Sequence, residues 1–164
     1  MSDAASGTIY VVDTSALMDW HDRFYPPDVF PSLAGLIGGL AAGGRFRSVE
    51  LVADEIASIG SAGLQAWAKA NRHLFEPTSA RLAEALALEG RFPGLKDPHA
   101  QYDEADAYVV ASAQLADAVV VTAETPAAHK RKPRRSLYIP DVCAALGMPC
   151  ISNLGMMRRE GWKI

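Results

Sequence analysis

Four acidic residues stand where the surrounding sequence gives a carboxylate chemistry to do: Asp13, Glu55, Asp106 and Glu124. Asp13 closes the run Thr8-Ile9-Tyr10-Val11-Val12, uncharged and rich in β-branched and aromatic side chains. Such a run suits a strand buried on both faces of a parallel sheet. Ala16-Leu17-Met18-Asp19-Trp20 then reads as a helix, with Thr14 or Ser15 near its first turn. A carboxylate at the carboxyl end of a central parallel strand sits where open α/β sheets bind ligands. It also suits the cap of the following helix. Glu55 belongs to a short helix over 50–59. At ~100° per residue, Leu51, Val52, Ile56 and Ile59 form an apolar arc, Glu50, Asp54 and Ser58 a polar one, and Glu55 falls among the apolar residues. A carboxylate facing a core is expensive unless paired, which leaves a salt bridge to an arginine, a slightly rotated helix, or a functional role.

Asp106 heads the segment 107–116, apolar or small nearly all round and therefore expected as an internal helix. Asp103, with an acid three residues on, is expected as its N-cap. The helix dipole would favour Asp106 whether or not it has a further role. Glu124 comes just after Ala118-Val119-Val120-Val121-Thr122, the second strongly apolar strand.

The elements that must position these acids alternate between strand and helix. After a proline-bearing loop at 23–28, a helix spans 29–42 and ends at Gly43-Gly44. A strand covers 46–49. Helices are expected over 61–75 and again from 78, with Leu82, Leu86 and Leu88 apolar, followed by a loop over 91–101. A loop covers 125–136, a short helix 141–146, a last strand 149–151 and a closing helix 154–161. Alternation of this kind predicts a three-layer α/β/α domain with a central, mostly parallel sheet of four to five strands. The carboxyl ends of its strands share one edge. Asp13 and Glu124 lie there, as does Asp106 at the start of a helix running antiparallel to the strands, while Glu55 faces inward from beside the sheet. Converging carboxylates force one of their number to protonate unless a cation intervenes. An oxygen-only cluster suits Mg²⁺ or Mn²⁺, and the chemistry natural to it is metal-assisted phosphodiester hydrolysis.

At 164 residues the chain is expected to form a single domain, with residues 1–7 flexible. Its net charge of −3 argues by itself against a nucleic-acid partner, yet Lys130, Arg131, Lys132, Arg134 and Arg135 crowd one loop next to Glu124. That loop reads either as a solvated surface or as a phosphate-backbone contact. Cys143 and Cys150 read as small core residues of a reducing compartment. His21, His73, His99 and His129 are isolated. No signal peptide or membrane span is read, and a cytoplasmic location is expected.

Asp-Thr-Ser after the first strand, an acid in the helix after the second, Glu-Ala-Asp-Ala-Tyr-Val-Val-Ala-Ser-Ala, and then Val-Val-Val-Thr-Ala-Glu, in this order over nearly the whole chain, resemble the PIN-domain nucleases. The likeness is strongest to the toxin-type (VapC-like) ribonucleases of toxin–antitoxin pairs. The stretches Phe-Tyr-Pro-Pro-Asp-Val-Phe-Pro and Ile-Pro-Asp-Val-Cys-Ala-Ala-Leu-Gly-Met-Pro-Cys-Ile resemble one poorly characterised subfamily. The resemblance implies a catalytic and metal-binding set of Asp13, Glu55, Asp106 and Glu124, with Ser15, Thr122 and Asp103 in support. Ser15 would hold Asp13 or a metal-bound water. The family's fourth acid is usually Asp; here Glu124, or else Asp103, would take that place. Also implied are Mg²⁺ or Mn²⁺, an RNA substrate, a cognate antitoxin and a possible homodimer. Competing readings are a catalytically silent binding module, a DNA-directed nuclease, and a phosphorelay receiver or phosphotransferase built on Asp13. The last lacks a D-x-D pair and a lysine close after 119–122.

Overall fold

The computed structural model describes residues 7–101 and 103–164. The segment 1–6, most of the stretch expected to be flexible, lies outside the described residues. Val119–Val121 and Tyr10–Val12 are six wholly apolar or aromatic positions, all buried, and they pair in parallel at the centre of a sheet. We number the strands β1 (Tyr10–Val12), β2 (Phe46–Val49), β3 (Phe75–Glu76), β4 (Val119–Val121) and β5 (Cys150–Ile151). They form one five-stranded sheet in the order β3-β2-β1-β4-β5, every pair parallel. The helices are α1 (Thr14–Met18), α2 (Pro31–Ala42), α3 (Glu50–Ile59), α4 (Ala62–Ala70), α5 (Leu82–Arg91), α6 (Asp106–Leu115), α7 (Ile139–Leu146) and α8 (Asn153–Arg159).

The three-layer α/β/α architecture follows from right-handed crossovers on a sheet whose order reverses at β1. Helix α3 packs on both α1 and α4, while α6 packs on α5 and α7 and lies across β1, β2 and β4. Helix α2 rests against β2. Helix α8 returns to the α1 layer, where Asn153 Nδ2 donates to the carbonyl of Ala16 at 2.8 Å. At the far end of α8, Glu160 accepts from Tyr10 Oη at 2.7 Å and pairs with Arg45, tying the chain's last turn to the start of β1 and β2.

Local sequence sets most of these boundaries. Pro31 opens α2, where its missing N–H is no loss. Ser61 caps α4 and Ser152 caps α8, each accepting from a backbone N–H three residues on. Gly147 ends α7 at φ +67°, a conformation a side chain resists. The sheet's α1–α4 face is filled by rings: Trp20 meets Trp67 edge-on at 5.1 Å and Phe46 at 6.5 Å. Ile56 is fully buried beneath α3. Ile56→Ala is expected to lower stability by about 2–5 kcal/mol, the range for truncating a large core side chain, read as a shifted urea midpoint with an unchanged slope.

Several sequence-based boundaries shift. The first helix does not stop at Trp20; it runs on as a π-helical turn over Asp19–Phe24, taking in part of the expected loop. The helix expected over 61–75 ends at Ala70, and its last residues turn through Arg72–Leu74 into β3. A two-residue strand is too short to carry a period. Helix α6 begins at Asp106 rather than at Asp103, which does not cap it, because Ala105 already occupies the cap position in helical conformation. Ile59, Leu82 and Leu86 are exposed, and Ala85 and Leu88 form the buried face of α5. Both cysteines are free thiols, Cys143 buried and Cys150 half-buried. Among the described residues no helix is long and apolar enough to cross a membrane.

Candidate functional site

The order β3-β2-β1-β4-β5 changes direction between β1 and β4, and a crevice opens there outside the carboxyl ends of the strands. Asp13 is the first residue past β1 and Thr122 the first past β4. The Asp13 backbone N–H still bonds the carbonyl of Val121 at 3.0 Å. Asp13 caps α1 and also lines the crevice. Its Oδ1 accepts from the backbone N–H of Ala16 at 3.0 Å, capping α1, and from Ser15 Oγ at 2.8 Å. Its Oδ2 accepts from Thr122 Oγ1 at 2.7 Å. Ser15 and Thr122 lock the two strand ends together: Ser15 Oγ accepts from the N–H of Ala123, and Thr122 Oγ1 from that of Glu124, both at 3.0 Å. Thr122→Val is expected to cost about 1–3 kcal/mol of stability, since it strips a buried carboxylate oxygen and a backbone N–H of a partner at once. Urea unfolding at pH 7 reads this, and a change below ~0.5 kcal/mol would mean that water replaces the hydroxyl.

Glu55 points from α3 into the same crevice. Its Oε2 accepts from Thr14 Oγ1 at 2.5 Å and its Oε1 from the backbone N–H of Ala105 at 3.3 Å, so α3 is bonded to the entrance of α6. Its two carboxylate oxygens are thus held by a hydroxyl and a backbone N–H. Asp13, Glu55, Asp106 and Glu124 together line one cleft of about 270 Å³, along with Thr14, Ser15, Met18, Arg23 and Ile59. Asp103 is exposed and is not part of the lining.

The basic loop is not uniform. Arg131, Lys132 and Arg134 are exposed. Lys130 Nζ lies 4.4 Å from the centroid of the Tyr138 ring. Arg135 turns inward instead. It ion-pairs with Asp106, donates from Nη2 to Glu124 Oε1 at 2.9 Å, and comes within 3.8 Å of Glu104. Its Nη1 also donates to the carbonyl of Leu95 at 3.0 Å, and its guanidinium lies 4.4 Å from the Tyr138 ring centroid. Glu124 is held further by the backbone N–H of Ile139 at 3.0 Å. The expectation that Arg135 joins the other loop cations on an open surface is therefore corrected: five carboxylates leave this corner of the fold short of positive charge, and the nearest guanidinium is drawn in. Glu104 and Arg23 were not singled out from the sequence. Glu104 had a signal, two residues before Asp106; Arg23, paired with Asp19 at 3.2 Å, had none.

Electrostatics follow the excess of acids. Asp13 is pushed from an ordinary value near 3.8 up to about 8, chiefly by burial and then by the charge of Glu124, against the hydrogen bonds from Thr122 and Ala16. Burial raises Glu55, Asp106 and Glu124 as well, with Asp106 adding repulsion on Glu55 and Glu124, and Arg135 opposing the rise on Asp106 and Glu124. The donor set, carboxylates and hydroxyls without nitrogen or sulfur, fits a hard divalent cation. Among the described residues, however, no three His, Cys, Asp or Glu side chains are gathered tightly enough to hold a metal ion as they stand. Arg135 is what bridges Asp106 and Glu124.

Fold and cleft together define an open, parallel α/β domain with an acidic crevice at its switch point. Residues 10–164 match a family described as Domain of unknown function (DUF4411), and the chain belongs to that family. No curated protein compared with the chain matches it.

Proposed function

We propose that this protein is a divalent-metal-dependent endoribonuclease of the PIN-domain kind, the toxin of a toxin–antitoxin pair, using Mg²⁺ or Mn²⁺. One observation carries the reading: four acids separated by up to 111 positions, Asp13, Glu55, Asp106 and Glu124, line a single cleft at the carboxyl edge of the sheet. Asp13, Glu55, Asp106 and Glu124 would hold the ion, with Ser15 and Thr122 fixing the carboxylate of Asp13. Such an ion supplies an activated water and neutralises charge developing at phosphorus. The exposed Arg131, Lys132 and Arg134 offer cations to the backbone of an RNA strand. Nothing in the cleft requires a 2′-hydroxyl, so the preference for RNA over DNA rests on the resemblance. The same resemblance supports a cognate antitoxin, a homodimer and a cytoplasmic setting.

The test is cleavage of a set of end-labelled RNAs of mixed sequence, with and without Mn²⁺. Expected are fragments that form only with the metal, vanish with a chelator and carry no 2′,3′-cyclic phosphate, since water rather than the 2′-oxygen attacks. Cleavage that persists in chelator, or ends in a cyclic phosphate, overturns the reading. A second reading, a silent binding module, is favoured by the Arg135 bridge, which already neutralises part of the cleft. Absence of Mn²⁺ binding to the protein both with and without RNA would select it.

A further inference from the structure

Arg23 lines the cleft but pairs with Asp19, whereas Arg135 ion-pairs with two of the four side chains on which the metal reading depends. The two modes of holding Asp106 and Glu124 compete: Arg135 takes Asp106 Oδ2 and Glu124 Oε1, and the backbone N–H of Ile139 takes Glu124 Oε2. A guanidinium is a planar fork that receives each carboxylate on a separate nitrogen. A small divalent ion draws its ligand oxygens to ~2.0–2.1 Å from a single point. With Oε1 on Arg135 and Oε2 on the Ile139 N–H, Glu124 has both oxygens committed away from such a point while Arg135 stays.

The arginine is moreover held by groups that have no part in binding a metal. The Leu95 carbonyl accepts from Nη1 at 3.0 Å and the Tyr138 ring lies beneath the guanidinium at 4.4 Å. Arg135 comes from the irregular segment before α7, not from a helix or strand. Its withdrawal therefore breaks no backbone ladder. Glu104, 3.8 Å away, gives the departing charge a further carboxylate to face.

We infer that Arg135 is an internal competitor for the divalent cation: it occupies Asp106 and Glu124 in the resting protein, and metal loading requires it to leave that pair. This inference rests on the metal-dependent reading above. It gives the basic loop a division of labour, with Arg131, Lys132 and Arg134 facing solvent and Arg135 guarding the acids.

The experiment is calorimetric titration of Mn²⁺ into the wild type, Arg135→Gln and Arg135→Lys, each checked by circular dichroism and thermal unfolding. Expected is binding at least tenfold tighter in Arg135→Gln than in the wild type, with Arg135→Lys, which keeps the charge, nearer the wild type. Equal or weaker binding in a folded Arg135→Gln, with the wild type binding Mn²⁺, overturns the inference and leaves the metal reading standing. Binding by neither the wild type nor folded Arg135→Gln, with RNA present or absent, overturns both, and Arg135 is then a structural staple. Should Arg135→Gln fail to fold, hydrogen exchange on the wild type decides. Mn²⁺ is expected to raise deuterium uptake over residues 130–137 while lowering it over 13–16; uptake over 130–137 that stays level or falls as Mn²⁺ binds overturns the inference.

Discussion

Asp106→Asn is expected to lower Mn²⁺-dependent RNA hydrolysis by at least ~10³-fold while shifting the melting temperature by only a few degrees. On the proposed metal reading the activity loss follows from removing a ligand charge, since the ion would contribute several kcal/mol and about 1.4 kcal/mol corresponds to tenfold in rate. Retention of the fold follows from the contacts around Asp106. Burial already disfavours its charged form. An Asn side-chain oxygen can still accept from Arg135, and the guanidinium keeps Glu124, Glu104 and the Leu95 carbonyl. Steady-state cleavage and thermal unfolding check the two halves separately. A melting temperature lowered by ten degrees or more, with activity lost in parallel, would make Asp106 a structural partner of Arg135 rather than a metal ligand.

Metal-free protein is expected to lose stability as pH rises from about 5 to 8. Asp13 has a folded-state value of about 8 against an ordinary value near 3.8. Between those two values the folded chain keeps a proton that the unfolded chain has released, so rising pH favours unfolding. The stabilisation is fully present below the unfolded value and is lost as pH climbs through about 8. Glu55, Asp106 and Glu124 are shifted in the same direction. One proton corresponds to at most about 1.4 kcal/mol per pH unit, or roughly 3–5 °C per unit in a domain of this size. Saturating Mn²⁺ should flatten the slope, because a metal ligand must be deprotonated, and Asp13→Asn should flatten it without metal. Melting curves at half-unit steps measure all three. A flat profile in the metal-free wild type would mean that Ser15, Thr122 and the Ala16 N–H keep Asp13 ionised throughout.

What could be read from the sequence was what repeats or persists. Residues 9–12 and 118–121 are apolar or aromatic without interruption because both faces of a central parallel strand are covered, and they marked β1 and β4 directly. Glu55 stood out because a period of 3.6 makes one misplaced carboxylate visible. Asp13, Asp106 and Glu124 stood out because they end or begin such runs, and all four line the cleft. Strand β3 was not legible: two residues carry no alternation, and Phe75 and Glu76 are strand only because Ser48 and Val49 pair with them. Arg135 was legible as a charge and not as a contact. Five cations in six residues look alike in a sequence; the Leu95 carbonyl and the acids around one of them separate it from its neighbours.

The cleft also has a history set by chain order. The hydrogen bond that joins Thr122 to Asp13 spans 109 positions, and Arg135 arrives later still. At about 5–20 residues per second of synthesis, Asp13 waits on the order of 5–20 s for its partner across the switch point. Until then β1 has only β2 to pair with, β3 lying beyond β2, and its other edge stands open. A nascent chain thus carries separated acids long before it has a crevice, and whatever chemistry the crevice performs begins only once β4 has been made and has docked.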